Sequence, residues 1–156
     1  MRPARFFHGD GVVRYYNFKE AEGAQYLREI EKGKYAQSDT YVTHERITAA
    51  DRKSVLLVSN KRLLFIVYNQ TMGIWSVDWE FTLPEITGPP AVENENSEDE
   101  MWYLYIKPKE EKKKTLGMFG GNSQKKVTMP NRQAAKELAS KIEEARLECA
   151  SRTIYL

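Results

Sequence analysis

The side chains in this 156-residue chain that could do chemistry are mostly cations, with a few apolar residues set beside them. Two histidines, His8 and His44, and one cysteine, Cys149, make up the whole stock of ordinary nucleophile-activating or soft metal-ligating groups. No Gly-x-Ser-x-Gly elbow or Walker loop accompanies them, so the residues predict a protein that is not an enzyme. One cysteine and two separated histidines give no closed ligand set, and neither a metal nor another cofactor is expected. His44 falls in a strand next to Glu45. Adjacent strand residues point to opposite faces, so those two do not form a pair.

The cations are arranged in a more suggestive way. Lys107–Lys126 carries seven lysines against Glu110 and Glu111, whereas Glu93–Glu100 holds five acids and no base. Lys112, Lys113 and Lys114 lead directly into Leu116, Met118 and Phe119, in a loop made mobile by Gly117, Gly120 and Gly121. Lysines at the headgroups with apolar tips in the acyl boundary suit an interfacial membrane anchor. The alternative is a solvated charged face whose Phe119 folds back onto the domain. Nucleic acid is not expected as a partner. The net charge is only +2, the lysines lack interleaved aromatics, and the acidic stretch opposes a phosphate backbone.

Groups of this kind need a scaffold, and the chain predicts one domain with 41% apolar and 12% aromatic residues. A lone cysteine excludes an internal disulfide and fits a reducing, cytoplasmic setting. No apolar run is long enough to span a bilayer, and no signal-peptide h-region opens the chain. Residues 1–16 read as extended, with Asp10-Gly11 as a turn and Phe6, Phe7, Tyr15 and Tyr16 as anchoring or interface aromatics. Asn17 then reads as a helix N-cap with Glu20 three residues on, and Gly33 as the stop.

From residue 40 the period becomes two. Tyr41–Ile47, Val55–Val58, Leu63–Tyr68, Ile74–Phe81, Met101–Lys107 and Lys125–Met129 read as strands within an expected total of about seven. Ser59–Arg62 is a hairpin turn. Trp75, Val77, Trp79 and Phe81 alternate with Ser76, Asp78 and Glu80, which predicts one buried and one wet face. Asn131–Cys149 is an amphipathic helix capped by Asn131, with Ala135, Leu138, Ala139, Ile142, Ala145 and Cys149 on its apolar side. Cys149 is therefore expected as a packed thiol.

Short antiparallel strands must hide their edges, and one amphipathic helix placed last can plug the open end of a small closed barrel. The predicted class is α+β, mainly β. It is a pleckstrin-homology-like (PH-like), seven-stranded antiparallel β-barrel or sandwich, capped by a C-terminal α-helix and carrying an extra N-terminal helix. An α+β sandwich satisfies the same physics. Residues 1–35 form the extension and helix, and 36–156 the PH-like domain. In such a fold Thr48–Lys53, Asn69–Gly73 and Lys107–Lys125 gather at one end. Arg52 and Lys53 would there face Lys112–Lys114, Lys125 and Lys126, giving the converging donors that phosphates require. Arg46–Lys53 lacks the spaced Lys…Lys/Arg-x-Arg pattern of tight headgroup binders, so charge-driven attraction is expected instead.

The opening residues sharpen the choice of fold. Arg2-Pro3-x-Arg5-Phe6-x-His8-x-Asp10-Gly11-Val12-x-Arg14-x-Tyr16 closely resembles the segment leading into the C-terminal PH-like domain of the vacuolar protein sorting 13 family. Glu31–Tyr35, the Trp79 strand and the helix ending Ile142–Arg146 agree with it. The loops Val92–Glu100 and Lys109–Gln124 look particular to this chain. The resemblance, to a fungal-type member, implies the tail of a long, bridge-like lipid transporter. It also implies a peripheral, cytoplasmic targeting role at Golgi, endosome, vacuole or mitochondrial contact sites. The implied partners are phosphoinositide-containing membranes and a membrane-bound protein such as an Arf-type small GTPase. A pure protein-interaction module without lipid binding is the rival expectation.

Overall fold

A computed structural model describes residues 8–48, 53–94, 102–109 and 124–154. Helix α1 (His8–Glu29) comes first and runs into two 3₁₀ turns, Ile30–Gly33 and Tyr35–Gln37. Strands β1 (Tyr41–Thr48), β2 (Lys53–Ser59), β3 (Arg62–Asn69) and β4 (Ile74–Thr82) form an antiparallel sheet in sequence order. Strands β5 (Ala91–Glu93), β6 (Trp102–Ile106) and β7 (Lys125–Met129) form a second sheet, and helix α2 (Arg132–Ile154) follows.

The fold is mainly β and takes the sandwich form. Among the described residues the two ladders do not join into the closed barrel that alternation suggested. The chain between β4 and β5 contains Pro84, Pro89 and Pro90, which have no N–H to donate. That stretch forms a 3₁₀ turn, Leu83–Glu85, and an isolated bridge from Ile86 to Pro108 instead of a continued ladder.

Two hydrophobic cores lie on opposite faces of the first sheet. The inner core joins Ile47, Leu56, Val58, Leu63 and Phe81 to Leu104, Ile106, Val127 and Met129 of the second sheet. Ala135, Leu138, Ala139, Ile142 and Ala145 of α2 close it, and the half-buried Cys149 packs against it as expected. The Asn131 carboxamide oxygen accepts the Ala134 N–H at 2.8 Å, so the expected N-cap is in place. The outer core is smaller. Val55, Leu57, Leu64 and Ile66 pack there with Leu27, Ile30 and Tyr35. β2 is therefore apolar on both sides, which accounts for its unbroken Val-Leu-Leu-Val run.

A β-bulge corrects one expectation. Phe65 pairs with Trp79 and Ile66 pairs with Val77, so Asp78 is an extra residue in β4. Trp79 and Phe81 consequently join the inner core, whereas Trp75 and Val77 pack on the outer one. The four residues do not share a face. A second irregularity leaves Val42 unpaired, since Tyr41 aligns with Ser59 and Thr43 with Val58. That places Tyr41 on the same outer face as His44.

The N-terminal segment also differs. The helix begins at His8 and runs through both Asp10-Gly11 and Asn17, so Asn17 is not its cap. A helical glycine costs only about 1 kcal/mol, and extending a helix already anchored at its far end recovers a hydrogen bond per residue. Gly33 does close the turn that follows the helix.

Candidate functional site

The structure describes three of the predicted lipid-site cations. Lys53 opens β2, is exposed, and holds its Nζ 5.1 Å from the centre of the Tyr68 ring. Lys125 opens β7, is half-buried, and reaches to 5.8 Å from the Trp79 ring, which stacks on Phe65 with centroids 5.2 Å apart. Lys126 is exposed, with its Nζ 4.2 Å above Tyr103. Arg52, Lys112, Lys113, Lys114, Leu116, Met118 and Phe119 lie outside the described residues, as do residues 95–100 of the acidic stretch and the side chains of Phe6, Phe7, Tyr15 and Tyr16.

The three described lysines do not converge. Lys125 alternates with the buried Val127 and Met129 and faces the space between the sheets, so its neighbour Lys126 faces away. Lys53 shares the outer face of the first sheet with Val55, Leu57 and Tyr68. Each ammonium stands over an aromatic ring, a contact of about 0.5–1 kcal/mol at exposed sites. The ring fixes where the charge sits. The β1–β2 and β3–β4 turns do lie at one end of the sheet, because Thr48 pairs with Lys53 and Asn69 with Ile74.

A second group of polar side chains, on the outer face, was not legible from sequence spacing. His44 is buried, with Nδ1 2.7 Å from the Tyr41 hydroxyl and Nε2 3.1 Å from Glu22 Oε1. Arg46 donates to the other Glu22 oxygen, and the Tyr26 hydroxyl donates to the same carboxylate at 3.3 Å. Burial holds the His44 imidazole below its ordinary pKa, against the pull of Glu22. Burial works against the Glu22 carboxylate too, but hydrogen bonds from Arg46 and His44 outweigh it and its pKa falls. Tyr41 is pushed up to about 12 by burial and by the nearby charges of Glu20 and Glu22. The hydrogen bonds from His44 and Arg46 to Glu22 clasp α1 to β1. Gly23 permits it, because a Cβ at that position would lie 2.0 Å from the Tyr41 ring.

A third network sits at the other end of the outer core. Arg62 donates through Nε to Asp39 Oδ2 at 2.7 Å and through Nη2 to Oδ1 at 3.3 Å. The Ser59 hydroxyl also donates to Asp39 at 2.7 Å, and the Tyr35 hydroxyl donates to Glu80. Burial raises the Asp39 pKa, yet the hydrogen bonds from Ser38, Ser59 and Arg62 together leave it below the ordinary range. Among the described residues no set of His, Cys, Asp and Glu side chains forms a metal site, and no helix is long and apolar enough to cross a membrane.

Comparison with known proteins identifies where this arrangement belongs. The family described as "Intermembrane lipid transfer protein VPS13, C-terminal" matches residues 1–132. The chain is 30% identical over 148 residues to "Intermembrane lipid transfer protein VPS13A" of Mus musculus, covering 94% of this chain and 4% of that protein. It is 34% identical over 92 residues to "Intermembrane lipid transfer protein VPS13C" of Homo sapiens, 59% of this chain and 2% of that protein. It is 33% identical over 86 residues to vps13D of Dictyostelium discoideum, 55% of this chain and 2% of that protein. The chain thus spans no more than 4% of the length of these relatives. It belongs to the family of VPS13 C-terminal domains of intermembrane lipid transfer proteins.

Proposed function

We propose that this chain is a non-catalytic targeting and adaptor domain of a lipid transfer protein at organelle contact sites. It associates peripherally with anionic, phosphoinositide-containing membranes, and it also binds a membrane-bound protein, for which an Arf-type small GTPase is the model. The observation that carries this reading is its membership of a family of intermembrane lipid transfer proteins as a piece covering only a few per cent of its relatives' length. The cations assigned to the membrane are Arg52, Lys53, Lys112, Lys113, Lys114, Lys125 and Lys126, with Leu116, Met118 and Phe119 as apolar contacts.

Magnitudes set the character of the binding. Lys107–Lys126 carries seven lysines against two glutamates, hence a net charge of 7 − 2 = +5. At roughly 1 kcal/mol per basic residue near an anionic surface, the ceiling is about 5 kcal/mol before screening. Apolar tips add roughly 1.5–3 kcal/mol each, less the cost of ordering the loop. The sum corresponds to micromolar binding at best. Such a domain assists recruitment, and tethering to a longer chain together with a protein contact supplies the rest. The scattered placement of Lys53, Lys125 and Lys126 supports diffuse attraction over a stereospecific headgroup pocket.

Flotation with phosphoinositide-containing liposomes tests the reading. The intact chain is expected to float, and deletion of Lys112–Phe119 to weaken flotation strongly. Unchanged flotation after the deletion overturns the loop assignment. A chain that never floats but captures a GTP-loaded GTPase establishes the protein-only alternative.

A further inference from the structure

The turn between β3 and β4 is closed by hydrogen bonds, yet it displays apolar side chains. Met72 is 67% exposed and Ile74 is 48% exposed, two residues apart at one tip. The turn itself is built firmly. Gly73 N–H donates to the Asn69 carbonyl at 2.7 Å, and Met72 N–H donates to the Asn69 side-chain oxygen at 3.0 Å. Gly73 sits at φ +68°, the left-handed conformation that glycine adopts without penalty. With the backbone held this way, Met72 stands exposed at the tip of the hairpin.

The surroundings of the tip follow a recognisable order. Next to it Trp75 and Tyr68 pair across the two strands with ring centroids 5.2 Å apart, and Tyr26 packs on Trp75 from α1. The Lys53 ammonium stands over Tyr68. No charged residue occurs from Tyr68 to Val77, so the tip of the hairpin carries no carboxylate to oppose an anionic surface. Apolar tip, then aromatic pair, then lysine is the sequence of polarities met on passing from acyl chains through the interface to lipid phosphates.

We infer that the β3–β4 hairpin is a membrane-inserting tip, with Met72 and Ile74 entering the acyl boundary of an anionic bilayer while Trp75, Tyr68 and Lys53 sit at headgroup level. The inference rests on the membrane reading proposed above and adds to it a second point of contact besides the Lys112–Phe119 loop. Two contacts on one domain fix its orientation on the bilayer, which a single contact does not.

The experiment places a polarity-sensitive fluorophore at Met72→Cys in a Cys149→Ser background. A control chain carries it at Leu147→Cys, on an exposed position of α2. Both are titrated with phosphatidylcholine vesicles containing phosphatidylserine, with and without a lipid-borne quencher. The inference predicts a blue shift and quenching at position 72 and neither at 147. It further predicts that Met72→Glu together with Ile74→Glu weakens vesicle binding by about tenfold or more, with the melting temperature unchanged because both side chains are exposed. A chain that binds vesicles while the label at 72 stays in water, and whose double variant binds equally well, overturns this inference and leaves the membrane reading standing. A chain that binds no vesicles overturns both. A shift at 72 produced by an added GTPase but not by vesicles overturns the inference in favour of protein docking.

Discussion

The two faces of the β1–β4 sheet are packed by different physics. The inner face meets the second sheet and α2 through aliphatic side chains, Phe81 and Met129, with fully buried Leu56, Leu63, Leu104 and Ile106 at its centre. The outer face meets α1 and the 3₁₀ turns through a smaller apolar patch ringed by polar side chains, with Glu22–His44–Arg46 at one end and Asp39–Arg62 at the other. Apolar contacts are non-directional and set how much stability is gained. Hydrogen-bonded charges are directional, and leaving one unpaired is costly. The inner face therefore makes the domain fold. The outer face fixes where α1 lies and makes that docking sensitive to solution conditions.

Substitutions ranked by effect test this difference. Leu104→Ala, at a site with no exposure, is expected to cost about 3–4 kcal/mol and to lower the chemical-unfolding midpoint of the whole domain. An effect confined to α1 would contradict the assignment of Leu104 to the common core. Asp39→Ala removes a side chain with no exposure and takes from the 20%-exposed Arg62 its shortest ion pair, while Glu80 stays 3.6 Å away, so no more than about 3 kcal/mol is expected, at the low end for broken buried pairs. Its signature should be most marked in the Tyr35 and Arg62 region. The smallest effect is one of pH. His44 faces Lys19 and Glu22 from α1 and Tyr41 and Arg46 from β1, and its pKa in the folded chain is below the ordinary 6.5. Below that ordinary value the unfolded chain takes up a proton that the folded chain resists. Stability from this group is therefore complete above pH 6.5 and declines as pH falls toward the lowered His44 value. Urea titrations at a series of pH values should show the decline, and His44→Gln should flatten it. A stability that rises on acidification through that window contradicts the burial argument.

These assignments differ in how far the chain itself announces them. The strand segments from Tyr41 to Tyr68 and from Lys125 to Met129 are legible because alternation and β-branched residues report a pleated surface directly. Helix α2 is equally legible, since its apolar stripe and Asn131 cap are local features. Ile74–Phe81 misleads because perfect alternation is blind to an inserted residue, and Asp78 turns half the strand over. β5 escapes notice because three residues after two prolines carry too little pattern. The clasp is invisible in sequence because Glu22 and His44 meet only after β1 bulges at Val42 and α1 docks on it. A signal did exist in the glycine at position 23, small and flanked by helix formers, where a close approach was to be suspected. For the proposed membrane site, residue types gave the cations, and the predicted strand Lys125–Met129 already implied that Lys125 and Lys126 face opposite ways, which the converging arrangement left out of account.

Amide hydrogen exchange of the Gly23→Ala chain tests the separation of the two faces most directly. The added Cβ would overlap the Tyr41 ring and push α1 off β1. The account predicts that amides in residues 18–29 lose protection while those of β2, β3 and α2 keep theirs. Loss of protection spread evenly over both helices and the sheet, or no loss at all, would show that the outer layer is not a separable element.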